Sequence, residues 1–457
     1  MLFRLDTYQK GSQSSHEIRT IIVFFAYAIV TPTTATLFVN PSQLTPEAQE
    51  NLKEAGWDVD GYENVIKRLE ELGSKVKEAN EEEKDTENDD ADETQPKGEA
   101  KGKVLVDSKT SLAVAHALGE GHYHVARSSV ADAKSIKNAA ELEGFRNSHI
   151  RDGVALARYF AHLEEHLSGP EQPKWSEYQA AQVLERYRSE LELFKGLSFT
   201  TISSTGPNGA IIHYSPAEEG SAEIKKEQIY LCDSGAQFLD GTTDVTRTWH
   251  FGTPTEEEKR AFTRVLQGHI SIDTAVFPSG TTGYILDAFA RRALWADGLG
   301  IHGTGHGVGH YLCVHEGPQG IGTRIAYNDT KLKEGMVLSN GITPIDSSSC
   351  RTVLIQIIVA EPGYYADGKF GIRIESIVLV RKVSTPNDFG SRGYLGFENV
   401  TMCPIQTKLV DPSLLNDAER KWLNDYHAEV IKKVGPELAK FGDSRAQVWL
   451  ERECAAI

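Results

Sequence analysis

Apolar residues near the start of the chain form two short runs that predict neighbouring β-strands. The first run covers residues 20–30 and the second covers residues 33–39. Continuous apolar runs of this length are typical of buried strands. The first run is too short to cross a bilayer, which requires about 20 residues, so no membrane partner is expected. Helical patterns follow from residue 46 and over residues 62–72.

Strand and helix patterns continue along the rest of the chain. One strand is predicted at residues 103–107, and one long helix is predicted over residues 129–167. Asp240-Gly241 is a hairpin turn signal. Further strands are predicted over residues 197–203, 210–214, 228–233 and 245–251, and further helices over residues 256–274, 284–296 and 417–434. Mixed strands and long helices predict the α+β class.

Composition and net charge limit the number of domains, the partners and the location that the chain is expected to have. The 457 residues and 40% hydrophobic content allow two or three domains. A net charge of −17 argues against a nucleic-acid partner. Part of that charge lies in an acidic run at residues 81–93, which we interpret as a solvated, flexible segment rather than a cation-binding tract. Five scattered cysteines without CxxC spacing fit a reducing compartment, so a cytoplasmic location is expected.

Histidines and glycines are concentrated in one segment. His302, His306 and His310 alternate with glycines and small residues, and His315 follows in the sequence Val-His-Glu-Gly-Pro. Glycine allows the backbone to approach a ligand closely, and neutral imidazole is the commonest protein metal ligand. The segment therefore indicates a site. A glycine-rich loop with surface histidines is the alternative.

Carboxylates beside strand-like runs supply the other candidate ligands. Asp233 and Asp244 flank the predicted hairpin turn, while Glu361 and Glu375 lie in the later strings Glu-Pro-Gly-Tyr-Tyr and Gly-Ile-Arg-Ile-Glu. Together with one histidine, they form an oxygen-rich ligand set that suits hard or borderline cations such as manganese. Four carboxylates leave excess negative charge around one cation, whereas two cations balance it. Each residue taken singly could instead be a helix cap, a surface acid or a core histidine.

Several motifs, in this order, resemble those of the pita-bread metallopeptidases. They are the strings DSGAQ, DGTTDVTRT, HGTGHGVG, VHEGP, EPGYY and GIRIE. Within that family they resemble the Xaa-Pro aminopeptidases (aminopeptidase P) of the eukaryotic cytosolic type, particularly the fungal members. The resemblance extends from about residue 131 to the last residue, with a shorter match at residues 23–62.

The resemblance implies a pita-bread catalytic domain preceded by a partial N-terminal α/β domain. It assigns residues 1–130 to the remnant of a second, creatinase-like N-terminal domain that contains an acidic linker at residues 76–102. Residues 131–385 would be the catalytic domain. Residues 386–457 would be the C-terminal extension of the family, which implies a homodimer formed through that region. Family members carry further sequence before this point, so the chain is expected to be N-terminally truncated.

The resemblance also implies a role for each candidate ligand. Asp233 would chelate one metal ion, and Asp244 and Glu375 would bridge both ions. His306 would be the single histidine ligand of the second ion. Glu361 would bind metal and act as the general base for the attacking water. The implied cofactors are two Mn²⁺ ions per subunit, with a hydroxide bridging them.

Other residues match substrate-side positions of the family. By resemblance, His213 lies near the proline leaving group, and His302 is a substrate-side histidine. His315 would donate a hydrogen bond to the developing oxyanion, and Arg373 would steady the metal carboxylates. His310 occupies a position where relatives usually have a small residue, and it receives no catalytic role.

The implied reaction releases the N-terminal residue from short peptides that carry proline in the second position. A prolyl bond has no N–H, so peptidases that depend on that hydrogen bond cleave it poorly. A non-catalytic pita-bread module that binds peptides or partners is the alternative from another class. A metal-free creatinase-like hydrolase, a prolidase and a methionine aminopeptidase are alternatives within the fold.

One segment departs from the family pattern. Relatives run directly from the sequence Leu-Ser-Asn into Glu-Pro-Gly-Tyr-Tyr, but here residues 341–360 intervene before Glu361. We interpret this insertion, which interrupts the family pattern, as a retained intron. Its twenty whole codons keep the reading frame. A genuine loop is the alternative, and the apolar residues 352–359 argue against an exposed one.

Overall fold

The computed structural model describes residues 2–5, 25–86, 102–170, 173–299, 304–341 and 363–457. The described residues up to Ala131 form one compact unit, and those from Asp132 onwards form a second. Among the described residues, no helix combines the length and the apolar character that crossing a membrane requires.

The first unit is a small α/β assembly. Strands β1 to β4 form a sheet in sequence order, in which β3 and β4 are parallel and the other pairs are antiparallel. Strands β5 and β6 form a parallel pair. The strands are β1 Leu2–Leu5, β2 Ala26–Val30, β3 Ala35–Val39, β4 Trp57–Asp60, β5 Val104–Val106 and β6 Tyr123–Val125. The helices are α1 Pro46–Glu54, α2 Val65–Thr86 and α3 Leu112–Leu118.

Helix α2 corrects one sequence expectation. It continues to Thr86, so the first part of the predicted flexible linker at residues 76–102 is helical. Residues 75–86 contain three Lys and four Glu and no Gly or Pro, and such a composition favours helix continuation. Leu69 of the same helix is fully buried against Phe38 and Val65, which anchors the helix on the sheet. The linker residues 87–101 lie outside the described residues.

The second unit combines antiparallel sheets with several long helices. The strands are β7 Phe194–Leu197, β8 Ile202–Thr205, β9 Ile229–Ser234, β10 Ala236–Phe238, β11 Gly241–Thr242, β12 Val245–His250, β13 Phe277–Pro278, β14 Gly305–His306, β15 Gly320–Ile321, β16 Val337–Asn340, β17 Gly363–Ala366, β18 Phe370–Arg373, β19 Ser376–Val383 and β20 Tyr394–Asn399. The helices are α5 Ala139–Ser168, α6 Glu177–Ser189, α7 Glu256–Asp273, α8 Gly283–Ala296, α9 Ile325–Asn328, α10 Asp417–Ala439 and α11 Ser444–Glu453. Helix α4 Ser129–Ser135 runs across the division between the two units.

Strand order brings chain segments far apart in sequence to one region. The sheets run β12-β9-β8, β11-β10-β7 and β13-β20-β19-β16. Two isolated bridges link separate strands: Thr246 pairs with Glu375, and Gly307 pairs with Leu338. The first bridge joins the start of β12 to Glu375, which lies between β18 and β19, and the second joins the residue after β14 to β16, which itself pairs with β19. The candidate ligands lie at this junction.

Helix α5 contributes many buried residues to the hydrophobic core of the second unit. Asn138 caps its first turn in a capping box with Glu141, which satisfies backbone donors that have no partner inside the helix. Its buried face includes Phe160, which packs on Trp249 of β12 and Trp449 of α11. The C-terminal helices α10 and α11 therefore share one hydrophobic core with the strands that carry the candidate ligands.

Three predicted elements are wrong. The single strand predicted over residues 197–203 spans the gap between two strands, because β7 ends at Leu197 and β8 begins at Ile202. The helix predicted over residues 129–167 is broken at residues 136–138, because Lys137 donates its backbone N–H to the Gly335 carbonyl instead of continuing the helix. The strand predicted over residues 210–214 is a turn that follows a 3₁₀ helix at Gly206–Ala210. That helix carries Pro at its start, and Pro207 and Gly209 disfavour a regular strand. The predicted hairpin is confirmed, with Leu239 and Asp240 as its turn residues and Gly241 as the first residue of β11.

Candidate metal centre

Three buried carboxylates converge at the strand junction. Asp233 lies on β9 opposite Thr246 of β12, and Asp244 immediately precedes β12. Glu375 follows β18 and pairs with Thr246 through a backbone bridge. One oxygen of each of the three carboxylates lies within 4.8 Å of the others, and all three side chains are buried. Like charges this close repel one another, so the cluster favours a cation.

His306 completes one side of the cluster. Its Nε2 lies 3.3 Å from Oδ2 of Asp244 and 3.8 Å from Oε1 of Glu375. Its Nδ1 lies 2.9 Å from the Gly307 carbonyl oxygen, which can only accept a hydrogen bond. In the neutral ring, Nδ1 therefore carries the proton and Nε2 presents a lone pair towards the carboxylates. This tautomer is the one a metal ligand requires.

His315 lies beside His306. The two rings meet edge to face with centroids 4.5 Å apart, and a ring nitrogen of His315 lies within 4.8 Å of ligand atoms of His306 and Asp244. The His315 side chain is exposed to solvent on one side, while surrounding protein atoms still desolvate the ring. That desolvation, followed by the charges of His306 and His213, holds the pKa of His315 well below its usual value.

An arginine and a threonine orient the carboxylates. Arg373 lies 2.6 Å from Oδ2 of Asp233 and donates through Nε to the Thr246 hydroxyl at 3.1 Å. That hydroxyl donates to Oε2 of Glu375 at 2.9 Å. A further Arg373 nitrogen donates to the Tyr365 hydroxyl at 2.9 Å. Two of the carboxylates are thus fixed through one chain of hydrogen bonds.

A second arginine, Arg247, supports the backbone under the cluster. Its buried guanidinium donates to the carbonyl oxygens of Thr246, Glu375 and Cys403 and to the Tyr426 hydroxyl. It therefore connects both ligand-bearing strands to the C-terminal region. Sequence reasoning assigned no role to Thr246 or Arg247. Both lie inside the string DGTTDVTRT, and an arginine within an otherwise buried strand was the available signal.

The structure does not place every predicted site residue. His213 lies in the exposed turn after the 3₁₀ helix, close enough for its charge to affect His315. His302 and Glu361 lie outside the described residues, as does most of the segment 341–360. His310 does not contact the candidate ligands in any described bond; its Nε2 donates to the Asp240 carbonyl oxygen at 3.0 Å. The described residues therefore bring together Asp233, Asp244, His306, His315, Arg373 and Glu375.

The donor set fits a pair of hard or borderline divalent cations. It combines three buried carboxylates with imidazole nitrogens, and such sites select ions of the manganese type over thiolate-preferring ions. Asp244 belongs to both groups of candidate ligands, one with Asp233 and Glu375 and one with His306 and His315. Asp244 is therefore the residue that the two groups of candidate ligands share.

Models of protein families match nearly the whole chain. The model for metallopeptidase family M24 matches residues 143–382, and the model for the C-terminal region of M24 peptidases matches residues 393–457. The model for the creatinase/prolidase N-terminal domain matches residues 15–141.

Curated relatives are similar over 95% of this chain. A protein of Laccaria bicolor named "Probable Xaa-Pro aminopeptidase P" is 59% identical over 436 residues, which are 61% of its own length. A protein of Coprinopsis cinerea with the same name is 58% identical over 445 residues, 64% of its length. The chain thus spans somewhat more than three fifths of the length of these relatives.

Solved structures show the same fold. The X-prolyl aminopeptidase of Caenorhabditis elegans, described as a cytosolic enzyme with a di-nuclear active site, has a TM-score of 0.79 and 35% identity. The match covers 95% of this chain and 64% of that protein. A prolidase of Pyrococcus furiosus, at 22% identity and a TM-score of 0.54, shares the fold over 82% of this chain and 90% of its own.

The predicted α+β class with a pita-bread catalytic domain and a creatinase-type N-terminal domain is confirmed. The family match covers more than half of the chain and contains every described candidate ligand. The fungal relatives agree with the resemblance drawn from the motifs. The chain belongs to metallopeptidase family M24.

Proposed function

We propose that this chain is a metal-dependent aminopeptidase that releases the N-terminal residue from peptides with proline in the second position. The observation that carries the proposal is the convergence of Asp233, Asp244, Glu375 and His306, with His315 alongside. Relatives named Xaa-Pro aminopeptidase P, at 58–59% identity, support the substrate class.

Two Mn²⁺ ions are the proposed cofactors. When bound, the ions would lower the pKa of a shared water molecule and polarise the scissile carbonyl. Asp233, Glu375 and His306 would hold them together with Asp244, which belongs to both groups of candidate ligands. The described geometry of these four residues is compatible with a pair of ions, and the worm relative has a di-nuclear site.

The remaining residues position groups around that centre. Arg373 and Thr246 keep Asp233 and Glu375 in fixed orientations, which lowers the cost of reorganisation during the reaction. His315 is proposed to donate a hydrogen bond to the developing oxyanion. Glu361 as general base, His302 on the substrate side and His213 near the leaving group stay predictions from the family resemblance.

The location, the substrates, the assembly and the domain division of the chain are also proposals. A cytoplasmic location is supported by the scattered cysteines and by the cytosolic description of the worm relative. Short Xaa-Pro peptides are the proposed partners, and a homodimer through residues 386–457 stays a prediction. The division into residues 1–130, 131–385 and 386–457 is likewise proposed.

A peptidase assay tests the function. Purified chain with Mn²⁺ would be incubated with an Xaa-Pro-Pro peptide and with a matched peptide that has alanine in the second position. We expect release of the N-terminal residue from the proline peptide only, and loss of that activity after chelation. The same assay on a variant lacking residues 341–360 tests the insertion, because activity confined to the deletion variant would show that this segment blocks the site.

The assay also separates the alternative function. Folded protein that binds metal ions but releases no residue, with or without the segment 341–360, would contradict the proposal. That result would favour a non-catalytic module that binds peptides or partners. Activity without bound metal would instead favour a metal-free hydrolase.

A further inference from the structure

The break between helices α4 and α5 places one lysine in a buried position. Ile136 forms a backbone bridge with Met336, the Lys137 N–H donates to the Gly335 carbonyl at 2.9 Å, and Asn138 caps α5. The backbone of residues 136–138 is therefore held on both sides. Because the chain leaves the helical path here, the Lys137 side chain points into the second unit instead of into solvent.

The buried end of Lys137 meets a glutamate. Its Nζ lies 2.7 Å from Oε1 of Glu316, and the two side chains are 1% and 10% exposed. The other carboxylate oxygen, Oε2, lies 3.0 Å from Nζ of Lys134, whose side chain is 58% exposed. Glu316 thus pairs with one buried and one exposed lysine. Exposed pairs contribute little to a fixed geometry, whereas a buried, hydrogen-bonded pair resists separation.

Glu316 belongs to the loop that carries His315. The Glu316 N–H donates to the Gly307 carbonyl at 2.8 Å, and the Gly307 N–H donates to the Gln319 carbonyl at 3.0 Å. Gly307 directly follows His306. The loop between Gly307 and Gln319 is therefore closed on the backbone next to a candidate ligand. Lys137 adds a side-chain anchor to this loop at the residue immediately after His315.

We infer that Lys137 is a positioning residue that holds the His315 loop over the metal centre through Glu316. The inference rests on the proposed function. The His315 side chain has an exposed side, and its ring contacts that of His306 edge to face. Without the ammonium group, the carboxylate of Glu316 turns towards water and the loop shifts with it. Displacement of a catalytic group by about 1 Å costs on the order of 100-fold in rate.

The test compares Lys137→Met with Lys134→Met, which removes the exposed partner of the same carboxylate. We expect Lys137→Met to lower kcat by about 10- to 100-fold, with KM within about twofold and metal content unchanged. Lys134→Met is expected to keep kcat within about twofold. Equal kcat values for Lys137→Met and wild type, or equal losses in both variants, would overturn the inference.

The double variant Lys137→Met, Glu316→Gln distinguishes the loss of the side-chain anchor from the effect of an unpaired Glu316 carboxylate. It removes the uncompensated carboxylate, so it also carries the test if the single variant does not fold. We expect its kcat to stay as low as that of Lys137→Met, because the anchor is still missing. Recovery of wild-type kcat would show that the unpaired Glu316 carboxylate alone lowers the kcat of Lys137→Met, and the inference would fail.

Hydrogen exchange gives a readout that does not depend on activity. We expect faster amide exchange in residues 307–319 of Lys137→Met than of Lys134→Met, with the strands β9 and β12 unchanged. If the wild-type chain is inactive, the proposed function fails, and exchange alone decides whether Lys137 anchors the loop. If the wild-type chain is active and neither kcat nor exchange responds to Lys137→Met, only the positioning inference fails.

Discussion

At the scale of single residues, Asp244 is the point where the two groups of candidate ligands meet. It is fully buried, its carboxylate is near those of Asp233 and Glu375, and its Oδ2 lies 3.3 Å from Nε2 of His306. A bound cation would stabilise this buried carboxylate strongly, because its neighbours are two further carboxylates and an imidazole. Its neighbour along the hairpin, Asp240, is a contrast, because it pairs with Arg151 away from the cluster.

Replacing Asp244 should therefore affect metal binding more than folding. We expect Asp244→Asn to lose at least one of two bound cations and to lower kcat at least about 100-fold. Metal content by mass spectrometry and the Xaa-Pro-Pro assay would check this. The control is Asp240→Asn, which should keep its metal because it changes only the ion pair with Arg151. Full metal content in Asp244→Asn would contradict a bridging role.

At the scale of elements, helix α5 packs directly on the hairpin that precedes Asp244. A Cβ atom added to Gly144 would lie 1.9 Å from the carbonyl oxygen of Asp240 and 3.2 Å from Nε2 of His310. The helix and the hairpin turn thus approach each other at a distance that only glycine permits. The backbone carbonyl cannot rotate away without moving the turn.

We expect Gly144→Ala to destabilise the second unit by about 1–3 kcal/mol, since the added methyl group overpacks a rigid contact. Asn147→Ala, an exposed change on the same helix, should instead stabilise by about 0.5 kcal/mol through helix propensity. Midpoints of urea unfolding would measure both. An unchanged midpoint for Gly144→Ala would show that the hairpin yields to the helix.

At the scale of the whole molecule, buried histidines link stability to pH. Desolvation lowers the pKa of His149 and His427 to about 4 and that of His269 to about 3. Each of these folded-state values lies below the usual 6.5. The unfolded chain therefore binds protons first as pH falls. Their contribution to stability is fully present above pH 6.5 and is lost as pH falls from 6.5 towards the folded-state pKa.

His427 allows a direct measurement of this effect. Its Nε2 accepts a hydrogen bond from the Ile405 N–H at 3.1 Å, and a glutamine oxygen could accept the same bond without titrating. Between pH 6 and 4.5, we expect the free energy of unfolding of His427→Gln to fall less steeply than that of wild type, by about 1 kcal/mol per pH unit. His116→Gln, at an exposed histidine of α3, controls for the substitution. Identical pH slopes for His427→Gln and wild type would refute the assignment.

Much of the fold was predictable because its signals are local. The hairpin at Asp240-Gly241 and the helices near residues 256–274 and 284–296 follow from turn residues and apolar spacing, and the structure confirms them. The helix break at residues 136–138 has a local signal in the capping pair Asn138 and Glu141, but the backbone bond that holds it involves Gly335, far along the chain. The strand predicted at residues 210–214 failed because a short apolar run does not by itself specify a strand, and residues 211–213 form a turn instead.

The sequence by itself determined the ligand types, their order and the family, because short motifs carry these in neighbouring residues. Only the tertiary structure decided which groups meet. Thr246 joins Glu375, Arg373 joins Asp233, and Lys137 joins Glu316 across more than a hundred residues each. Contacts this distant depend on how helices and sheets pack around one core, and no local pattern specifies that packing.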